Sequence, residues 1–371
     1  MGLKNVLLVA FLCITLLSLR VQAICQSTDT AVFKPAYSSP PSIPKPDGIF
    51  AKNDRLDKVV LFKNEKLKGP EAITIVGSQM YTGTREGLVL EINIETQAIR
   101  EVGATGGVPL GIKKHPNGQL IIADAKKGLL MMDPDTGISK VLTRGYEGID
   151  FCVLDDLVIR QDGLIVFSVA TTKWQLKDFE FDALENRPTG MLVSYDLKAA
   201  RGHEVKVLVK DLFFANGLSL CPDEACLFFA ETTAYRVRKY NFSTGKVDTY
   251  AENLPGFPDN IFCNKSMQCW IALVGQREFA AGWSLLDFLH RHPKVIAFLY
   301  SLFKKGWLSR EKLVEQKPAA LLVKTGPKGN VIDFYQDKDV SHVHSLTSVV
   351  EYQNTLYLGT YVNNWIGVLK L

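Results

Sequence analysis

Short apolar runs separated by polar turns recur along most of the chain. Each unit has a polar or Pro-containing start, a strand of alternating apolar residues, a polar turn, a second strand and usually a third. Period-two alternation bounded by Gly, Asp, Asn and Pro is typical of β-hairpins. The six units begin near Gly69, Val108, Leu154, Phe213, Pro258 and Leu346.

The spacing of the units predicts one repeated architecture. Equivalent points are Glu71, Leu110, Asp156, Asn216, Asn260 and Thr347, which are 39, 46, 60, 44 and 87 residues apart. The short intervals match the roughly 40 to 50 residues of a four-stranded propeller blade, and the long ones hold insertions. The pattern therefore predicts an all-β fold, a single six-bladed β-propeller over residues 55–371, preceded by a linker at 24–54. The sixth unit has only three strands, so we expect residues 56–62 to supply the fourth and close the ring.

Two insertions interrupt this pattern. In blade five, residues 283–307 carry apolar side chains at helical spacing on both sides of Pro293, which predicts two short amphipathic helices. This segment is expected either to form a lid over the channel or, through its Lys and Arg residues beside an aromatic-rich face, to contact an anionic membrane surface. A smaller insertion at 177–190 is expected to form the opposite rim of a pocket.

The first 23 residues have the pattern of a targeting element. Lys4 precedes an apolar run that ends at Arg20, and V-Q-A follows. This indicates a signal peptide or a signal anchor, and hence a secretory-pathway protein that is secreted or lies on the lumenal or extracellular side of a membrane. The formal net charge of +4 is spread along the chain, so no basic face indicates a nucleic-acid partner.

The cysteines suit an oxidising compartment. Cys221 and Cys226 would face each other across one hairpin turn, and Cys263 and Cys269 bracket the equivalent turn of the next blade. We expect a disulfide at each turn, the alternative being buried free thiols. The partners of Cys25 and Cys152 stay open. Sequons at Asn241 and Asn264 are candidate N-glycosylation sites.

Several motifs, in order, resemble the strictosidine synthase family and particularly its animal branch. They are PEAI at 70–73, PLGI at 109–112, ADAKKGLL at 123–130, FANGLSLCPDE at 214–224, AETTAYRVRKY at 230–240 and LPGFPDNI at 254–261, with MYTGT at 80–84, TKWQ at 172–175 and SLLDFL at 284–289. The resemblance implies a six-bladed propeller with a pocket at its central channel. It also implies chemistry between amine–aldehyde condensation and arylesterase-like hydrolysis, and related propellers are calcium-dependent lactonases and esterases.

Polar residues at the starts of the innermost strands should converge at one mouth of the channel. They are Glu71, Asp155, Asp156, Asn216, Asp259 and Asn260. Carboxylate and amide oxygens form the ligand set that calcium prefers. The resemblance agrees, since calcium-binding propellers of this kind use a glutamate, asparagines and an aspartate at such places. The alternative is a polar channel lining filled by water.

The candidate catalytic groups lie near the last inner strand. His342 and His344 are predicted at the channel mouth, where a histidine could act as general base. The resemblance places the catalytic glutamate of the condensing enzymes at Thr347, so strictosidine-type condensation is not expected; Glu351 would need a register shift to substitute. The sequence thus favours a hydrolase of small aryl esters or lactones, with a propeller that binds a ligand or partner without catalysis as the alternative.

Overall fold

Six four-stranded antiparallel sheets form the protein, as the sequence pattern predicts. A computed structural model describes residue 25 and residues 32–277, 283–310 and 318–371; the predicted leader lies outside the described residues. In blades one to five, the strands run from the inner to the outer edge of the blade in chain order. Blades one to three comprise Thr74–Val76, Gln79–Gly83, Leu88–Asn93 and Ile99–Ala104; Pro109–Lys114, Leu120–Asp124, Gly128–Met132 and Ser139–Thr143; and Val153–Ile159, Ile165–Thr171, Gly190–Tyr195 and Val205–Leu212. Blades four and five comprise Ala215–Leu220, Cys226–Glu231, Arg236–Asn241 and Val247–Ala251; and Gly256–Cys263, Cys269–Gln276, Leu321–Thr325 and Val331–Gln336.

The two ends of the propeller meet in blade six. Its three C-terminal strands are Leu346–Tyr352, Thr355–Thr360 and Trp365–Lys370, and Val60–Lys63 pairs antiparallel with the last of them. The predicted closure by an N-terminal strand is therefore confirmed. Because the outermost strand comes from the start of the chain, separation of the first and last blades would break a row of backbone hydrogen bonds.

The hydrophobic core lies between neighbouring blades rather than at the centre. Several clusters combine side chains from two neighbouring blades; Phe228 of blade four, for example, packs with Ile271 of blade five. Second strands such as Cys226–Glu231 are buried along their whole length, which explains uninterrupted apolar runs such as L-F-F-A, whereas the outer strand Val247–Ala251 is mostly half-buried or exposed. The centre of the ring is left to the polar starts of the inner strands.

Three helices of the described chain cover one face of the ring. Helix α1 (Phe179–Glu185) follows the second strand of blade three, and helices α2 (Leu285–His290) and α3 (Pro293–Lys304) follow the second strand of blade five. The two predicted helices around Pro293 are confirmed: Ser284 caps α2 by accepting from the Asp287 backbone N–H, and Pro293 occupies the first turn of α3. Short 3₁₀ turns lie at Gly48–Phe50, Arg55–Lys58, Leu176–Asp178 and Thr232–Ala234, and a two-stranded ribbon pairs Gly145–Tyr146 with Ile149–Asp150. Within the described part of the chain, no helix has both the length and the apolar content needed to span a bilayer.

The segment predicted as a linker is fastened to the insertions where it is described. Ala36 donates a backbone hydrogen bond to Glu185 at the end of α1, and Ser38 donates one to His290 at the end of α2. Arg277 donates a side-chain hydrogen bond to the Pro41 carbonyl. Residues 32–54 therefore form a strap across the helices, because their backbone groups make hydrogen bonds with the ends of α1 and α2 and with Arg277.

Three disulfides are present among the described residues. Those joining Cys221 to Cys226 and Cys263 to Cys269, with Cα atoms 5.2 and 4.0 Å apart, confirm the hairpin predictions. A third bridge, which the sequence left open, joins Cys25 to Cys152, the residue before the inner strand of blade three. The sequons at Asn241 and Asn264 lie on turns between strands, and their use stays a prediction.

Candidate functional site

A repeated β-bulge aims the polar side chains into the channel. In blades three, four and five the inner strand carries one residue more than its partner over the same length: Leu154 pairs with Val169 while Leu157 pairs with Phe167, and equivalent shifts follow Ala215 and Pro258. Such bulges re-aim side chains. The first bulged residues are Asp155, Asn216 and Asp259, and all three side chains line the channel cavity.

Close backbone approach makes room for this arrangement. Gly217 follows Asn216 in the blade-four bulge, and a Cβ atom there would lie 2.3 Å from the Asn260 Cα of blade five. Only glycine allows two inner strands to come this close. The second position of the bulge thus packs against the next blade while the first faces the cavity.

Three carboxyl groups meet at the floor of the cavity. One oxygen each of Glu71, Asp155 and Asp259 lies within 4.8 Å of the others. All three residues are 4 to 5% exposed. One oxygen of each, together with the side-chain oxygen of Asn216, has no hydrogen-bond partner among the described residues. Three buried carboxylates and an amide of the same cavity lining thus each hold an oxygen without a donor, which is unusual because burying an unpaired polar group is costly.

The electrostatics of this acidic cluster are strongly perturbed. Burial raises the pKa of Glu71 well above its usual range, and the nearby Asp155, Asp259 and Asp156 raise it further. Burial likewise raises the pKa of Asp155, with a contribution from Asp156. It also raises the pKa of Asp259, which a hydrogen bond with Asn216 partly offsets. Like charges forced together in a dry site favour either protonation or a bound cation.

The cavity above the acidic cluster is small and mainly apolar. It measures about 120 Å³, which is room for several waters or one small organic molecule. The apolar and aromatic lining residues are Leu110, Leu176, Phe179, Ala183, Phe214, Phe257, Val274 and Tyr361. Polar lining residues besides the acidic cluster and Asn216 are Thr232, Thr233 and Thr347. Phe179 and Ala183 come from α1, so the smaller insertion forms a rim of the pocket as predicted.

Two of the six predicted metal ligands have other surroundings. Both carboxylate oxygens of Asp156 accept backbone N–H bonds, from Leu157 and, across the blade boundary, from Leu218, each at 2.8 Å. Asp156 therefore joins blades three and four and does not line the cavity, so a role as a ligand stays a prediction. Asn260 occupies the second bulge position, against Gly217, and does not line the cavity. The sequence could not separate the members of each pair because a bulge, rather than simple alternation, decides which side chain faces inward.

The predicted histidines lie away from the cavity lining. The ring of His342 makes a hydrogen bond with the Val59 carbonyl at 2.5 Å, beside the closing strand. His344 contacts Ser345 and Asn363. The structure therefore does not bring either ring together with the acidic cluster.

The position that the condensing enzymes fill with glutamate does line the cavity. Thr347 is 2% exposed, and its hydroxyl has no hydrogen-bond partner among the described residues. Glu351, the nearest carboxylate along the strand, accepts a hydrogen bond from the Trp270 indole at 2.8 Å and is not a lining residue. No register shift brings it inward, so a hydroxyl replaces the carboxylate at this place.

The residues of the acidic cluster fit a calcium ion. One carboxylate oxygen each of Glu71, Asp155 and Asp259 lies within 4.8 Å of the others, and Asn216, whose side-chain oxygen has no partner among the described residues, lines the same cavity. None of the lining residues in the described chain is Lys, Arg or His. Uncompensated buried carboxylates with an amide oxygen are the hard donor set that calcium takes. Zinc would favour nitrogen or sulfur donors, which this lining lacks.

Comparison with known proteins agrees with the sequence motifs. Profiles of the families described as "Strictosidine synthase" and "Strictosidine synthase-like, N-terminal" match residues 155–245 and 48–92. The adipocyte plasma membrane-associated protein of Gallus gallus is 34% identical over 87% of this chain and 80% of its own length. Protein STRICTOSIDINE SYNTHASE-LIKE 4 of Arabidopsis thaliana is 34% identical over 79% of this chain and 76% of its own.

Solved structures share the fold at low sequence identity. A gluconolactonase from Xanthomonas campestris superposes with a TM-score of 0.59 and 14% identity, covering 92% of this chain and 98% of its own. The calcium-binding protein regucalcin from Agrobacterium tumefaciens gives a TM-score of 0.56 and 14% identity over 82% of this chain and 90% of its own. These likenesses support the propeller fold. The 34% identity to the two relatives, together with the matching family profiles, shows that the chain belongs to the strictosidine synthase-like family.

Proposed function

We propose that the channel cavity binds a calcium ion and hydrolyses small aryl esters or lactones. The observation that carries this proposal is the meeting of three buried carboxyl groups within 4.8 Å, with unpaired oxygens, at the floor of an apolar cavity. Glu71, Asp155, Asn216 and Asp259 would hold the ion. When bound, calcium would supply a Lewis acid that polarises the carbonyl group of the substrate.

The protein's own residues would orient the substrate. The Phe179, Phe214 and Phe257 side chains give the cavity an aromatic wall that suits an aryl or alkyl group. The Thr347 hydroxyl would donate a hydrogen bond to a polar atom of the substrate in the cavity. Because no lining residue of the described chain is a histidine, the proton acceptor for the attacking water would be a carboxylate of the acidic cluster.

The comparisons support the same class of chemistry. Solved propellers of this fold include one whose title describes a gluconolactonase and one whose title describes a calcium-binding protein. The lactonase activity and the calcium binding named in these titles are properties of those two proteins. Their relevance here lies in the agreement between that chemistry and the oxygen donors of this cavity.

The experiment is a metal analysis joined to an activity assay on purified full-length protein. We expect about one calcium per chain and hydrolysis of phenyl acetate or of a small lactone that stops on chelation and returns with added calcium. Glu71→Gln should abolish the calcium content and lower kcat/KM by about 100-fold or more, since several kcal/mol of transition-state stabilisation would be lost. Glu351→Gln is the matched control, because Gln keeps an acceptor for the Trp270 indole and this side chain lies outside the cavity lining.

Two results would count against the proposal. Absence of bound calcium in both the native protein and protein dialysed against calcium would refute the proposed calcium site. Calcium binding without hydrolysis of any ester or lactone would favour the second candidate, a propeller that binds a ligand or partner without catalysis. That candidate is supported by the distance of His342 and His344 from the cavity and by the hydroxyl at Thr347.

The proposal includes a secretory location. The three disulfides are compatible with an oxidising compartment, and curated relatives carry the name adipocyte plasma membrane-associated protein. We expect the chain to be secreted or held on the lumenal or extracellular side of a membrane. Protease protection in isolated microsomes, with and without detergent, would test this.

A further inference from the structure

The helical insertion of blade five presents a patch of exposed aromatic side chains. Among the described residues, every exposed Phe and Trp side chain lies here: Trp283, Phe288, Phe298 and Trp307. Phe298 is 60% exposed and Trp307 is 76% exposed. Elsewhere among the described residues, exposed large apolar residues are aliphatic or Tyr and lie scattered over the blades and the strap. Clustered exposed aromatics indicate an interaction surface rather than ordinary surface composition.

Helix α3 separates its two faces cleanly. Ile296 and Tyr300 face inward and pack with Phe181 of α1 in a buried cluster. Phe298 lies on the opposite side of the helix, flanked one turn before by Lys294 and two turns after by Lys305. The outward face therefore combines an aromatic residue with cations. Phe298 is not part of the buried cluster that holds the helix to α1.

The charge of this surface has one sign. Arg291, Lys294, Lys304 and Lys305 are exposed. Asp287 is the sole acidic residue of the segment 283–310, and it is buried against Arg277, whose guanidinium nitrogen lies 2.9 Å from the carboxylate. Lys305 lies over the Trp307 ring at 5.3 Å. Exposed Trp and Phe side chains interleaved with Lys suit the boundary between anionic headgroups and acyl chains.

The fold places this surface on the same side of the ring as the cavity. In an antiparallel blade, the start of the inner strand and the connection between the second and third strands lie at the same end. Glu71 and Asp155 belong to the starts of inner strands, whereas α1 and α3 belong to such connections. Helix α3 also packs on α1, with the Phe181 ring 5.2 Å from that of Phe303, and α1 forms a wall of the cavity.

We propose that this surface, formed by Phe288, Val295, Phe298 and Trp307 with Lys294, Lys304 and Lys305, docks on an anionic phospholipid bilayer. Docking would turn the cavity mouth toward the membrane and give the cavity access to apolar molecules dissolved there. The proposal concerns the surface of α2 and α3 and does not depend on calcium or on hydrolysis.

The test uses the full chain, whose N-terminal apolar segment could bind vesicles by itself, so the measurement must report on α3 directly. Vesicles of phosphatidylcholine with about 20% phosphatidylserine, carrying brominated acyl chains, quench tryptophan that enters the acyl region. We expect quenching of the wild type and loss of most of it in Trp307→Phe. Lys294→Glu with Lys305→Glu should weaken docking at least about tenfold, and pure phosphatidylcholine should support little docking.

Ile138→Ala is the matched control. Ile138 is 73% exposed on a turn between the third and fourth strands of blade two, at the opposite end of the propeller. It should leave quenching unchanged. Absence of quenching, or quenching that persists in both Trp307→Phe and the double Lys variant, would overturn the proposal. So would a concentration-dependent dimer that Phe298→Ala dissociates, because the surface would then serve a second copy of the chain.

Discussion

A buried aspartate on the cavity-lining helix should make the stability of the fold depend on pH. Asp182 lies on α1 and is 3% exposed, and its Oδ1 accepts a hydrogen bond from the Thr189 hydroxyl at 3.0 Å. Burial raises the pKa of Asp182 to about 7, opposed by hydrogen bonds from Thr171 and Thr189. The perturbation we propose is Asp182→Asn, which keeps the acceptor oxygen and removes the ionisation.

The sign follows from which state holds the proton. Between the usual carboxyl pKa of about 4 and the folded value near 7, the folded protein keeps the proton while the unfolded chain loses it. Stability is therefore greatest at low pH and is lost as the pH rises through 7. Each unit of difference between the folded and unfolded pKa contributes about 1.4 kcal/mol. Above pH 7, ionisation of Asp182 therefore lowers the free energy of unfolding by about 4 kcal/mol. Asp182→Asn escapes this cost.

The assay is urea unfolding of wild type and variant at pH 5, 6, 7 and 8. The advantage of Asp182→Asn should grow by about 2 to 3 kcal/mol between pH 5 and pH 8, because at pH 5 only part of the cost is present. Asp248→Asn is a control of opposite sign: its partner Lys246 lowers the pKa of Asp248, so its pH dependence lies below pH 5. A free-energy difference that stays flat from pH 5 to 8, or that shrinks, would refute the reasoning.

Two further predictions concern the frame around the site. Replacing Cys25 with Ser should lower the free energy of unfolding by up to about 5 kcal/mol in a chain-entropy estimate, and replacing Cys221 with Ser by about 2 kcal/mol. The difference arises because the two bridges close loops of 127 and 5 residues. Equal losses in denaturant titrations of the two variants would contradict this. Asp156→Asn should cost about 1 to 3 kcal/mol, because its amide cannot accept both backbone bonds, including that from Leu218, while calcium content stays near the wild-type value. Loss of calcium in a folded Asp156→Asn protein would show that this carboxylate is a ligand after all.

The propeller could be predicted because each blade is specified by interactions between residues that are close in sequence. Alternating apolar residues, turn residues and a constant spacing define each blade, and the incomplete sixth unit points to closure by Val60–Lys63. The helices around Pro293 follow equally from local periodicity and capping. Hairpin disulfides were accessible for the same reason, since both cysteines of each pair flank one turn.

What the sequence could not give depends on long-range packing. The bridge from Cys25 to Cys152 joins segments 127 residues apart. His342 was expected at the channel mouth, but its ring hydrogen-bonds to Val59, which only ring closure brings near. The strap at 32–54 has few apolar periodic residues and reveals its role only through hydrogen bonds to α1 and α2. Each of these depends on where distant segments meet.

The division of work between Asp155 and Asp156 links the fold to the site. Two identical side chains stand side by side, yet Asp156 has both oxygens satisfied by backbone donors, whereas one oxygen of Asp155 has no donor among the described residues. The bulge separates them, because it turns one toward the next blade and the other toward the channel.

This separation means that the inward positions can change without disturbing the contacts that join the blades. Thr347 follows the same logic: it lies at a register shift in blade six, lines the cavity and leaves its hydroxyl without a partner in the described chain. Replacing a carboxylate by a hydroxyl at such a place alters the chemistry that the channel can perform while the ladder around it keeps its hydrogen bonds. A propeller built on bulged inner strands can therefore exchange one reaction for another at a few axial positions, and the acidic cluster with Thr347 is the combination that this chain carries.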